Sequence, residues 1–296
     1  MKIVVSYRGA PRIRGWETGA LVAKAFRSLG HEVYDYGNIY QTQEKLSNGL
    51  TDFSNIDLWV YMEMNDADRQ FTEVKAIKAA KKVSWTFDNS YYPDKLLFLN
   101  TYFNFDENFV ANPLCLDYSD RTHYLPYAID EHYHARDFSY NKKHAVGIVG
   151  TLRDDRLELA EKLRQSGIEV QCIDNVFRED YIDALASCHM IINQNPPAGA
   201  GLLNMRFFEA QAAGCILFTE NRDFTPNNEA WIEEINLLDH PISLPGYPYR
   251  DMGHLVGLCN KYKGDWGQAR MCHAAIMLNH TYKDRCERIL DVCFSD

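Results

Sequence analysis

Arg206 and Glu209 stand three residues apart in the run 201–219, GLLNMRFFEAQAAGCILFT. On a helix that spacing puts both on one face, with Ala213 a turn further along. Asn204 can cap such a helix, because its short polar side chain accepts a hydrogen bond from a free N–H of the first turn. Met205, Phe208 and Ala212 line a second, apolar face. Gly214 ends the helix, and residues 215–219 read as a short buried strand. A helix N-terminus with free N–H groups behind the glycine-rich run 196–201 (PPAGAG) is a ready anion site. A carboxylate one turn in, Glu209, can accept hydrogen bonds from two vicinal hydroxyls. Phosphate at the helix end and a diol one turn deeper outline a nucleoside diphosphate. The alternative is an ordinary buried helix with an Arg206–Glu209 surface pair.

Other polar residues fall where chemistry is possible. Arg153 and Arg156 follow Gly150 at the end of an expected strand, where arginines clamp a diphosphate and offset its charge as it leaves. Alternatively, Arg156 pairs with Asp154, Asp155 or Glu158 on a solvated helix. Asp88 closes an expected strand, and a carboxylate there can take a proton from a hydroxyl. Glu17, opening the first helix, is a second candidate for that role. Each also has a structural reading, Asp88 as a turn cap and Glu17 as a complement to the helix dipole. Arg8, Arg12 and Arg14 crowd one loop of a chain whose net charge is −10. That balance weighs against a broad nucleic-acid surface while leaving room for a local basic groove.

The elements that must position these groups alternate in β–α order. Residues 2–6, 32–36, 56–64 and 83–87 read as strands, with helices at 16–29 and 71–82 and short strands near 109–111 and 123–125. Pro126, within 125–130, marks a hinge, and a polar stretch follows it. The pattern then restarts. Strands are expected at 145–149, 169–173, 190–193 and 236–239, helices at 154–165 and 181–187, and two or three helices over 251–293. Doubly wound parallel sheets of this kind bind ligands at the carboxyl ends of their strands. The 296 residues suffice for two such domains, and no apolar run is long enough to span a membrane. The N-terminus reads as a strand start, not a signal peptide, so the expected location is cytoplasmic and the eight cysteines are expected as free, buried thiols.

The pattern N-x-R-x-F-E-A-x-A-A-G (Asn204, Arg206, Phe208, Glu209, Ala210, Ala212, Ala213, Gly214) resembles the donor-binding signature of GT-B glycosyltransferases. Its nearest variant is the "glycosyl transferases group 1" domain of CgeB-like spore-maturation proteins, and the run H-T-Y-x-x-R-x-x-x-I-L from His280 to Leu290 is similar to that group too. The resemblance covers most of 125–296 and is weak over 1–124. It implies two facing Rossmann-like domains: an acceptor domain (1–127), a nucleotide-sugar domain (128–278) and a C-terminal helix (279–296) returning to the first. It implies a sugar transferase, hexosyl or pentosyl, using a nucleoside diphosphate sugar, with a UDP-sugar the expected donor and Glu209 on the ribose. The backbone of 202–204 and Arg153 or Arg156 would hold the diphosphate, and Asn175 and Phe177 would meet the nucleobase. Arg206 and Gly150 belong to the same donor site. His280, Tyr282 and Arg285 recur in the family's last helix, where packing is their expected role. No cofactor or essential metal is expected: Asp66 and Asp68 form a D-x-D, but in a loop far in sequence from Glu209. One departure stands out. Many retaining members carry a further Glu eight residues before the one matching Glu209, and Gly201 occupies that position. The acceptor is a hydroxyl on a glycan, on a small molecule or, as in compact phage enzymes of the same fold, on hydroxymethylated DNA. A non-catalytic nucleotide-sugar-binding module is the reading from another class.

Overall fold

The computed structural model describes residues 1–7, 17–36, 54–62, 77–87, 103–194, 203–220 and 246–295. Asp88, Leu202, the arginine loop (Arg8, Arg12, Arg14), Asp66 and Asp68, the 196–201 run and the strand expected at 236–239 lie outside them. The chain divides into two compact units, one of residues 1–126, 198–201 and 282–296, the other of 127–197 and 202–281.

The first unit is built on a six-stranded sheet in the order β2-β1-β3-β4-β5-β6. The strands are β1 Lys2–Ser6, β2 Glu32–Tyr36, β3 Ile56–Met62, β4 Ala79–Thr86, β5 Glu107–Val110 and β6 Thr122–Tyr124. Every pairing is parallel. Parallel strands are covered on both faces, so they read as continuous apolar runs, and Ile3, Val4 and Val5 are fully buried. Trp59 packs edge-on against Tyr61 and Phe103, and its indole N–H donates to Ser6 Oγ at 2.8 Å. Helix α1 (Thr18–Ser28) buries Leu21, Val22, Ala25 and Phe26.

Here the structure corrects the expected helix over 71–82, because residues 79–82 belong to β4. Alanine is the best helix former, but intrinsic propensity is a weak determinant that tertiary pairing overrides. Ala79 pairs with Ile56 and Lys81 with Leu58, while the Lys82 amide donates to the Asp106 carboxylate at 2.7 Å.

The second unit carries β7 His144–Val149, β8 Val170–Ile173, β9 Cys188–Asn193, β10 Ile216–Glu220 and β11 Tyr247–Tyr249. They form a parallel sheet in the order β11-β10-β9-β7-β8. The chain leaves β7 toward β8 and returns past it to β9, so strand order reverses between β7 and β9. The crevice at such a reversal is where doubly wound sheets take ligands. Helices α2 (Asp154–Gln165), α3 (Glu179–Ala186), α4 (Met205–Ala212), α5 (Met252–Lys261) and α6 (Trp266–Asn279) accompany these strands. Val146, Ile148, Met190, Ile192, Ile216 and Phe218 supply the core from the sheet, and Ala160, Leu163, Leu255 and Ala269 supply it from the helices. Strand β11 was not expected. It is three residues long and contains Pro248, which only an edge strand tolerates.

The last helix, α7 (Tyr282–Phe294), belongs to the first unit although it follows the second in sequence. The Cys286 thiol donates to the Val22 carbonyl of α1 at 3.7 Å, and Tyr282 packs edge-on to Trp85 of β4. All eight cysteines are free, and all but Cys172 are buried. Among the described residues no helix is long and apolar enough to cross a membrane.

Candidate active site

Helix α4 forms one wall of the crevice in the second unit. Asn204 caps it: the side-chain oxygen accepts from the Phe207 amide at 3.2 Å and is steadied by the Asn193 side-chain amide at 3.3 Å. Leu203, just before the cap, is buried. Phe207 and Phe208 lock the helix into the core, which leaves Arg206 and Glu209 on the face turned toward β7 and β9.

Arg206 is sunk against the end of β7. Its guanidinium donates to the Val149 carbonyl, and a Cβ added at Gly150 would come within 3.0 Å of Nη2. Gly150 also has φ +102°, a conformation side chains rarely adopt, which favours glycine there. Arg156 reaches the same place from α2. Its Nη1 donates to the Thr151 carbonyl at 2.8 Å and its Nη2 to the Gln194 carbonyl at 3.3 Å, bridging the segments that follow β7 and β9. Its Nε is buried with no partner among the described residues, as is Gln194 Oε1. Burial, then Arg153 and then Arg206, push the Arg156 pKa down, the signature of a desolvated cation beside other cations.

The pairing differs from the alternative considered for Arg156. It is Arg153 that pairs with Asp155, by two hydrogen bonds of 3.1 and 3.0 Å, and that contact holds the Asp155 carboxyl below its usual range. Arg156 takes only the Asp155 carboxylate's bond to its backbone amide.

Glu209 is buried, at 5% exposure, so its i,i+3 pairing with Arg206 lies below the surface. Three side chains surround its carboxylate. The Tyr181 hydroxyl donates to Oε2 at 2.5 Å, Arg206 Nε lies 3.9 Å from Oε2, and His134 Nε2 lies 3.6 Å from Oε1. The Arg206 guanidinium also sits 4.9 Å above the Tyr181 ring. His134 accepts from the Asp130 amide through Nδ1 at 2.7 Å, which puts the proton of the neutral imidazole on Nε2, facing Glu209. Burial lowers the His134 pKa and raises that of Tyr181 well above the phenol range. Tyr181 and His134 were not candidates in the sequence. Their only signals were a tyrosine opening a helix and a histidine in a polar stretch.

Asn175 and Phe177 sit on the loop after β8. Asn175 has φ 55° and donates to Asp174 through both its amides, Asp174 in turn accepting from the Leu152 amide at 3.3 Å. Phe177 is 43% exposed. Arg178, next in line, also has positive φ.

In the first unit Glu17 is the buried residue before α1, without a side-chain cap bond to the helix. Its charge adds to burial in raising the pKa of Tyr7 and Asp35, which hydrogen-bond each other. Of the C-terminal trio, His280 packs its ring 5.8 Å from Phe208, while Arg285 Nε donates to the Pro126 carbonyl at 3.1 Å within the first unit, consistent with structural roles.

The architecture is shared with solved structures of low identity. An α-glucosyltransferase in complex with UDP and a 13-mer DNA containing a central A:G mismatch aligns with TM-score 0.66 at 12% identity, covering 99% of each chain. AviGT4, a glycosyltransferase involved in avilamycin A biosynthesis, aligns with TM-score 0.58 at 12% identity over 99% of this chain and 96% of its own. The DNA-modifying enzyme β-glucosyltransferase aligns with TM-score 0.57 at 10% identity over 99% of each. These likenesses establish two parallel-sheet α/β domains of the GT-B fold. No curated protein matches the chain. Residues 139–291, which take in the capped helix with Arg206 and the buried Glu209 and the switch point beside it, match a family model described as glycosyl transferase-like, and the chain belongs to that family.

Proposed function

We propose that the protein transfers a sugar, hexosyl or pentosyl, from a nucleoside diphosphate donor to a hydroxyl, with UDP as the leaving group. The observation that carries this reading is the crowding of Arg206 and Arg156 at the β7/β9 switch point, one helical turn from the buried carboxylate of Glu209. Two partly buried cations beside a capped helix N-terminus suit a diphosphate, and they can neutralise the charge that builds on it as the glycosidic bond breaks. Glu209 suits the ribose diol, and exposed Phe177 suits the face of a base. Within the family, the 204–214 pattern favours the CgeB-like group. Asp88 or Glu17 would act as the base, so Asp88→Asn and Glu17→Gln should be compared for loss of kcat.

The test is turnover of a panel of nucleotide sugars, read by mass spectrometry with and without EDTA. Release of UDP that survives chelation supports arginine-based charge neutralisation. Loss of turnover restored by Mn²⁺ would move the charge work to a metal and to Asp66 and Asp68. Tight UDP-sugar binding without turnover on any acceptor would favour the non-catalytic module, which the glycine at 201 also suits.

A second acceptor reading has support of its own. Arg8, Arg12 and Arg14 concentrate positive charge in an acidic chain, and the α-glucosyltransferase relative by fold was solved with DNA. If the acceptor is a hydroxymethylated DNA, replacing the three arginines by glutamine should raise acceptor KM and flatten its salt dependence, because fewer counterions are displaced. Identical salt slopes would favour a neutral acceptor.

A further inference from the structure

Glu209 is held unevenly. Oε2 accepts from the Tyr181 hydroxyl at 2.5 Å, whereas Oε1 accepts no hydrogen bond among the described residues and faces His134 Nε2 across 3.6 Å, too long for one. Although the residue is 5% exposed, this oxygen has no donor among the described residues and so is available to a hydroxyl of a ligand. Tyr181 also fixes the neighbouring cation, since the Arg206 guanidinium stacks 4.9 Å above its ring. One side chain on α3 therefore touches both the group facing the diphosphate end of the crevice and the group one turn deeper.

We propose that Tyr181 is a positioning residue for donor recognition: its hydroxyl pins Glu209 Oε2 and thereby presents Oε1 to a ribose hydroxyl of the donor. The inference rests on the reading of Glu209 as the diol acceptor. A free carboxylate on a glutamate rotates about three side-chain bonds. Tying one oxygen to a phenol on a separate helix removes that freedom before the ligand arrives, so affinity is gained without a new contact. The ring over Arg206 is a separate contact, and Tyr181→Phe keeps it while deleting the hydrogen bond.

The experiment is calorimetry of UDP and 2′,3′-dideoxy-UDP against wild type, Glu209→Ala and Tyr181→Phe, with melting temperatures recorded for each. Wild type should prefer UDP, and Glu209→Ala should erase the preference. Tyr181→Phe should weaken UDP binding about three- to tenfold, the scale of one hydrogen bond, and leave dideoxy-UDP affinity unchanged. Equal losses for both ligands in Tyr181→Phe, or an intact preference, would overturn the positioning role and leave the Glu209 reading standing. A wild type that does not distinguish the two ligands, or a preference that survives Glu209→Ala, would remove that reading and the inference with it.

Discussion

At Glu209 the surroundings are uneven: a tyrosine, a neutral histidine and an arginine 3.9 Å away face one buried carboxylate. Removing it as Glu209→Ala should weaken nucleotide-sugar binding by about 1.5–3 kcal/mol, the scale of hydrogen bonds to a charged group. Unchanged affinity by calorimetry in a folded variant would end its role as the diol acceptor. His134 makes a second residue-scale prediction through pH. Burial lowers its pKa below the usual 6.5, so above that pH the imidazole is neutral folded or unfolded. As pH falls below 6.5, the unfolded chain takes up a proton that the folded chain refuses. Stability is then lost until the folded pKa is passed, by at most about 1.4 kcal/mol per pH unit for each such histidine. His189, also depressed by burial, contributes in the same direction. Thermal melts between pH 7.5 and 5 should show a falling midpoint, and His134→Asn should flatten part of that slope; an unaltered slope would mean that His134 does not titrate differently on unfolding. The cap, the arginine and the carboxylate of this site were legible in the sequence because they share one short helix with its own period. Tyr181 and His134 were not, because each reaches Glu209 only through tertiary packing and neither sits in a local pattern that distinguishes it from a surface residue.

Helix α4 is eight residues long, too short to hold together on propensity, so its position depends on its cap and its buried face. Asn204→Ala removes the cap acceptor and the bond from Asn193. It should cost about 1 kcal/mol of stability and weaken UDP binding by more than the lost stability alone accounts for, if the first turn meets the phosphates as proposed. A loss of stability with unaltered UDP affinity would show that the helix end does not meet the phosphates. Gly150→Ala probes the facing element. It forces a side chain into φ +102° and a Cβ to 3.0 Å from Arg206 Nη2, so about 1–3 kcal/mol of destabilisation and a displaced Arg206 are expected. A variant with wild-type melting and wild-type UDP affinity would show that the Gly150–Arg206 contact is dispensable. Most strands near the site were visible as apolar runs, since parallel strands are buried on both faces. The misreadings have a common physical origin. The residues of β4 at 79–82 look helical until β3 pairs with them, and β11 becomes a strand only because β10 offers it an edge.

The two units differ in how their chains are assembled, and that difference can be measured. The second unit holds the groups proposed for the donor between residues 127 and 281, with the core of β7 to β11 and its helices inside the same span. A fragment of residues 127–281 should therefore fold cooperatively and prefer UDP over 2′,3′-dideoxy-UDP as the full chain does. The first unit is not continuous. It needs α7 from the end of the chain, where Tyr282, Cys286 and Ile289 are at most 1% exposed. Leaving those side chains unburied forfeits roughly 1.5–3 kcal/mol for each large one, a large share of the 5–15 kcal/mol that holds a typical domain together. A fragment of residues 1–126 should accordingly be unfolded or melt far below the full chain, and appending 282–296 through a flexible linker should restore a cooperative transition. Circular dichroism and differential scanning calorimetry decide both halves of the prediction. A 1–126 fragment as stable with the appended helix as without it would mean that α7 contributes little to the first unit. A folded 127–281 fragment that fails to bind UDP would show that the second unit does not carry a complete donor site, and that residues of the first unit contact the nucleotide.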